Sequence, residues 1–210
     1  MSELADPTAH TGRAVLMSGR WYNLPPEPRD VDFTVVLRAL CGIRRYNGQL
    51  RTAAGIDPGW TVGHHTLSIV RWARAANEER NIQLGLLLHD NHEAWIGDIP
   101  GPVKRVREEV GDAINKLEND VDDAIFAAAG YTRPTREELK LIKYYHRGAC
   151  SYASTVLGCD EHLLGRIIDR HGPADDPRGL AAHSWVATRN ADEVFTCLLD
   201  EARSLGLPVS

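Results

Sequence analysis

No apolar run in this 210-residue chain approaches the roughly 18 residues needed to cross a bilayer, so no membrane span is expected and a cytoplasmic location follows. Positive charge is not in excess either. The 24 Lys and Arg against 29 Asp and Glu leave a net charge of −5, which argues against a general nucleic-acid scaffold but leaves room for a small basic pocket. The four cysteines, Cys41, Cys150, Cys159 and Cys197, lack any Cys-x-x-Cys spacing and read as reduced, packed thiols. There is no internal repeat, and no two-residue alternation competes with the helical period.

What remains is helical. A chain of this length can bury roughly 70% of its unfolded surface in one core. Residues 1–16 show no sustained period and read as a mobile arm or edge extension, with a single domain over 17–210. Asp30 or Asp32 can cap a helix over about 32–44, and residues 47–60, rich in Gly and Pro, form a loop before a helix beginning near Thr61. Further helices are expected at about 80–96, 106–129, 135–157 and 188–205, the third of these helped by a Thr135–Glu138 capping box. The stretch from about 170 to 180, with Asp175-Asp176-Pro177 and Gly179, reads as a loop.

The apolar run Leu84–Leu88 ends abruptly in His89-Asp90-Asn91-His92-Glu93. Two adjacent metal-competent side chains at the end of an apolar segment put polar chemistry where packing alone would want none. His65 begins a stripe continued by Ile69, Trp72, Ala73 and Ala76, so it faces inward while His64 points away. A buried divalent metal site is the expectation.

The surrounding string resembles the HD-domain phosphohydrolase superfamily, in particular the small deoxynucleotide 5′-phosphohydrolases that include phage deoxynucleoside triphosphate hydrolases. The resemblance lies in Ile43-Arg44-Arg45-Tyr46-Asn47-Gly48, in Val62-Gly63-His64-His65-Thr66-Leu67, and most specifically in His89 through Gly97-Asp98-Ile99-Pro100-Gly101-Pro102-Val103-Lys104. It implies an all-α HD-domain helical bundle around a mononuclear metal site, spanning about residues 17–157 and faintly the C-terminal helix. His65, His89 and Asp90 would be ligands, leaving positions for water and a phosphate oxygen. Glu93 would orient or deprotonate the attacking water. Arg45, or else Arg44, would clamp the phosphate, with Lys104 as a second cation. Asp98 would contact the sugar or merely cap its turn, and Trp21 would be a base-stacking wall or a hydrophobic plug.

The chain departs from the family pattern at one position. Where relatives carry an aspartate in a Lys-x-x-Asp setting, this chain has Lys143-Tyr144-Tyr145-His146. His146 lies on the stripe Leu139, Ile142, Ala149, Ala153, facing inward, as a fourth ligand or as a packed histidine beside the site. Three imidazoles and one carboxylate would select a transition metal, whether cobalt, manganese, zinc, nickel or iron. The implied activity is hydrolysis of the 5′-phosphate or phosphates of a purine or other deoxynucleotide, with adenine one candidate base and the base preference left open. The partner is a nucleotide substrate, not a nucleic-acid polymer, and the protein is expected to be a homo-oligomer, a dimer or larger. The alternatives are a phosphatase of a modified nucleotide in a nucleoside-antibiotic pathway, and a catalytically weakened nucleotide sensor.

Overall fold

The computed structural model describes residues 14–17 and 19–210. Among these, the architecture is all-α apart from one hairpin, in which β1 (Ala14–Met17) runs antiparallel to β2 (Arg20–Asn23). Of the arm expected over 1–16, residues 1–13 lie outside the described residues. Residues 14–16 are strand, the backbones of Ala14, Val15 and Leu16 pairing with Asn23, Tyr22 and Trp21. The hairpin is anchored by buried Met17 and by the ring of Tyr22, which meets that of Trp95 edge-on at 6.4 Å.

Asp32 caps α1 (Phe33–Leu40), accepting from the amides of Thr34 and Val35. Next come α2 (Val62–Ala75), α3 (Arg80–Leu88) and two single turns, α4 (Glu93–Ile96) and α5 (Gly101–Lys104). Two long helices follow, α6 (Glu108–Ala129) and α7 (Arg136–Val156), the latter closed at its N-terminus by the Thr135–Glu138 capping box. The chain finishes with α8 (Glu161–His171), α9 (Pro177–Ala187) and α10 (Ala191–Ser204). α2 is the hub, packed against α3, α7, α9 and α10. So packed, α2 is buried at every position from Val62 to Val70 and is exposed only near its C-terminal end, at Arg74 and Ala75, so His64 is buried beside His65, contrary to the expectation that it points outward.

Two further expectations are corrected. The helix expected over 80–96 is interrupted after Leu88 and resumes only as the single turn α4, and α8 and α9 form where no helix was expected, α9 starting within the stretch read as a loop. Asp176-Pro177 is a helix start rather than a loop: the Asp176 carboxylate accepts the Arg178 amide, and Pro177 takes the first helical position, where a missing N–H costs nothing. Gly179 is needed for close approach, since a Cβ there would lie 2.8 Å from the Tyr152 ring.

The α2–α9 contact buries His183 completely. Its imidazole stacks between Trp60 and Tyr152, with centroids at 6.4 and 5.3 Å, and Nδ1 donates to the Gly179 carbonyl at 2.8 Å. Burial, against that hydrogen bond, pushes its pKa from 6.5 down to about 4. The unfolded chain therefore binds this proton more readily than the folded one. His183 contributes stability that is complete above about pH 6.5 and lost on acidification toward 4, worth roughly 3 kcal/mol. His183→Phe should flatten that part of the profile when denaturant midpoints are measured against pH, and an unchanged acid limb would remove His183 as its cause.

Candidate metal centre

Three helices deliver the candidate ligands. His65 comes from the first turns of α2, whose start is set by Thr61. His89 and Asp90 follow α3, held by the buried Leu84, Leu86, Leu87 and Leu88, and His146 comes from the middle of α7. Beyond Leu88 the chain tightens: the amides of Asn91, Glu93, Ala94 and Trp95 each reach back three residues, to Leu88, Asp90, Asn91 and His92. In such a turn, residues three apart eclipse one another, so Glu93 stays over Asp90 although the α-helix is interrupted.

His65, His89, Asp90 and His146 each offer one donor atom, and these four atoms lie within 4.8 Å of one another. Nε2 of His65 is 3.2 Å from Nε2 of His89, and Oδ2 of Asp90 is 3.4 and 3.1 Å from those nitrogens. The imidazole of His146 stands 5.2 Å from that of His65 and 5.1 Å from that of His89, centroid to centroid. Nδ1 of His89 donates to the Leu86 carbonyl at 2.7 Å, which orients the ring and leaves Nε2 as its ligand nitrogen. Two tetrahedral zinc ligands at 2.0–2.1 Å stand about 3.3–3.4 Å apart, so these spacings match the edge of a coordination polyhedron.

The electrostatics suit a cation. Burial, reinforced by the charge of Arg45, holds His65 well below the usual imidazole range. Burial also brings His146 down to about 4 against the pull of Asp90. For Asp90, burial alone would raise the pKa, but the charge and hydrogen bond of His89, with His146 and Arg45, outweigh it and hold the carboxyl well below its ordinary value. Facing nitrogen lone pairs beside a buried carboxylate form a donor set that fits a divalent metal ion.

No protein-family model matches the chain, and a search of curated proteins finds no relative. The residues themselves carry the functional argument.

Arg45 is the counter-ion of the site. Only 8% exposed, it sends one nitrogen, Nη1, to Asp90 and Glu93 at 3.3 Å each and to Asp98 at 3.6 Å. Arg44 points instead to Asp57, at 3.5 Å, which separates the two arginines. The turn Arg45–Gly48 that carries Arg45 has left-handed backbone at Tyr46 (φ 55°) and Asn47 (φ 53°), a costly conformation for residues with a Cβ. Asp98 braces it by accepting the Tyr46 amide at 3.0 Å, and the Tyr46 hydroxyl donates to Cys150 Sγ at 3.4 Å across to α7. Burial, then the charge of Asp90, pushes Glu93 up to about 9 against Arg45.

Other residues singled out in the sequence have partners of their own. The ammonium of Lys104 is bound to the Glu118 carboxylate of α6. Trp21 is 53% exposed, on the opposite side of β2 from the packed Tyr22. His92 pairs with α6, with Nδ1 3.0 Å from Asp122 and Nε2 3.7 Å from Glu118, while its imidazole also groups with carboxylate oxygens of Asp90 and Glu93, one donor atom from each lying within 4.8 Å of the others. His64 accepts from Thr61 through Nδ1, at 2.7 Å from Oγ1, and donates through Nε2 to the Arg189 carbonyl at 3.0 Å, tying α2 to the α9–α10 connection. Sequence reasoning missed the bracing partners Leu86, Asp122 and Tyr46. Leu86 acts locally, through the backbone carbonyl three residues before His89, and Asp122 through a tertiary contact thirty residues on with no local signal, whereas Asn47-Gly48 does mark a turn.

Proposed function

We propose that the chain is a metal-dependent phosphohydrolase of the HD-domain type, acting on the 5′-phosphate or phosphates of a deoxynucleotide. The observation that carries this reading is the buried His65–His89–Asp90–His146 donor set with Glu93 and Arg45 alongside. A divalent ion held by those four residues would polarise a phosphoryl oxygen and supply hydroxide near neutral pH. Three imidazoles make the set less anionic than the aspartate-bearing family pattern and favour zinc, cobalt, nickel, iron or manganese over magnesium.

Glu93 divides its labour between its oxygens. Oε1 is on Arg45, while the buried Oε2 has no hydrogen-bond partner and is the atom available to take or return a proton. Arg45 fixes the Asp90 and Glu93 carboxylates through Nη1 and has its remaining donors for a phosphate. Asp98 acts first as a positioning residue, through the Tyr46 amide, so any preference for a sugar lacking the 2′-hydroxyl runs through the Arg45–Gly48 turn.

Phosphate release measured over matched deoxy- and ribonucleoside mono-, di- and triphosphates tests the reading. Turnover of at least one deoxynucleotide, faster than of its ribo counterpart, is expected. Nucleotide binding without release of phosphate from any of them would favour the weakened-sensor reading instead. Glu93→Gln should lower kcat by about 10²-fold or more with metal content unchanged. If metal is lost together with activity, Glu93 is a ligand or a support and not the proton-transfer group.

A further inference from the structure

A cavity of about 310 Å³ lies between α3, α6 and α7, and the ring of His89 forms part of its wall. On α7 it is bordered by Leu139, Ile142 and Lys143, the turns just before His146. Leu139 and Ile142 lie seven and four residues earlier, on the helix face that presents His146 to the metal cluster. The opposite wall is aromatic: Phe126 and Tyr131 meet edge-on at 5.4 Å. The position of Tyr131 depends on Gly85, where a Cβ would stand 2.5 Å from its hydroxyl. Lys143 is exposed and has no ion-pair or hydrogen-bond partner among the described residues. Apolar and aromatic walls, a polar edge at Asn119 and Asp122, and a size at the lower end of ligand clefts, roughly 300–1,000 Å³, suit a flat heterocycle attached to an anion.

We infer that this cavity, rather than the hairpin bearing Trp21, receives the nucleobase of the substrate, with Lys143 near the phosphate. The inference rests on the phosphohydrolase reading and deepens it. The ring lies between the edges of Phe126 and Tyr131 and the side chains of Leu139 and Ile142, and the ester reaches toward His89 and His146. Trp21 has no part in holding the base.

Filling the cavity tests this. Leu139→Trp enters from a position that is 38% exposed, where a larger side chain is tolerated, and Asn119→Phe fills the same space from α6. The ratio of kcat/KM for deoxyadenosine 5′-monophosphate to that for deoxyribose 5-phosphate, which has the phosphate and no base, should fall about tenfold or more in both variants, mainly through KM. An unchanged ratio in both folded variants, or a loss seen with Trp21→Ala and not with Leu139→Trp, overturns the assignment. The two readings fail separately. If the wild type cleaves nothing, calorimetry with deoxyadenosine, which carries no phosphate, still reports on the cavity: binding that Leu139→Trp abolishes supports it, and no binding, or binding equal in both proteins, refutes it.

Discussion

Asp90→Ala and His89→Ala should each empty the metal centre, taking metal measured by plasma emission from about one ion per chain to near none and activity down by about 10³-fold or more. Asp90 is the only anionic member of the donor set. Without it, three imidazoles face the guanidinium of Arg45, and a cation is repelled where it was attracted. His89→Ala removes one nitrogen and also releases the Leu86 carbonyl that oriented it. Asp90→Ala is therefore expected to be the more severe, with His146→Ala milder than either, since His146 enters from a separate helix and leaves the His65–His89–Asp90 triangle intact. A metal-free wild type with full hydrolytic activity would remove the basis of the proposal.

Arg45→Met should be the most destabilising single change in the site. It leaves Asp90, Glu93 and Asp98 buried together without a counter-ion, and breaking a buried pair in this way costs about 3–5 kcal/mol. For a chain of this size each kcal/mol shifts Tm by about 2–4 °C, so a fall of roughly 6–20 °C is expected in protein treated with chelator. A bound divalent ion supplies some of the missing positive charge, so the loss should be smaller in metal-loaded protein. Because a single nitrogen of Arg45 reaches all three carboxylates, Arg45→Lys should recover most of the stability but not the activity, since lysine lacks the further donors a phosphate would use. Scanning calorimetry with and without chelator, beside kcat/KM, separates the two roles. Equal Tm losses for the Met and Lys variants would contradict the charge argument.

The candidate ligands were legible in the sequence because each carries a local signal. His89 and Asp90 end an apolar run, and His65 and His146 fall on inward stripes at the helical period, which packing must respect whatever the helices pack against. The Thr135–Glu138 box and the stripe of α6 likewise act within a few residues. α8 and α9 were less legible. α8 does carry a stripe at the helical period, Leu164, Ile167, Ile168 and His171, behind an Asp160 cap, but these residues are only half-buried, while α9 begins with Asp176-Pro177 and a glycine needed only because the Tyr152 ring lies against it. The burial of His64 and His183 comes from packing, since neighbouring helices cover α2 from Val62 to Val70 and α9 lies against it.

Partner choice was decided by the tertiary structure. Arg45 and Arg44 are adjacent cations with the same propensities, and only the fold sends one to Asp90, Glu93 and Asp98 and the other to Asp57. Lys104 is likewise taken by Glu118, fourteen residues on, and His92 by Asp122, thirty residues on. The sequence by itself determined the helical class and the donor residues, because periodicity and adjacency act over a few residues along the chain. Which charges pair, which histidines lose water and where a cavity opens beside His89 depend on contacts between segments brought together only by folding.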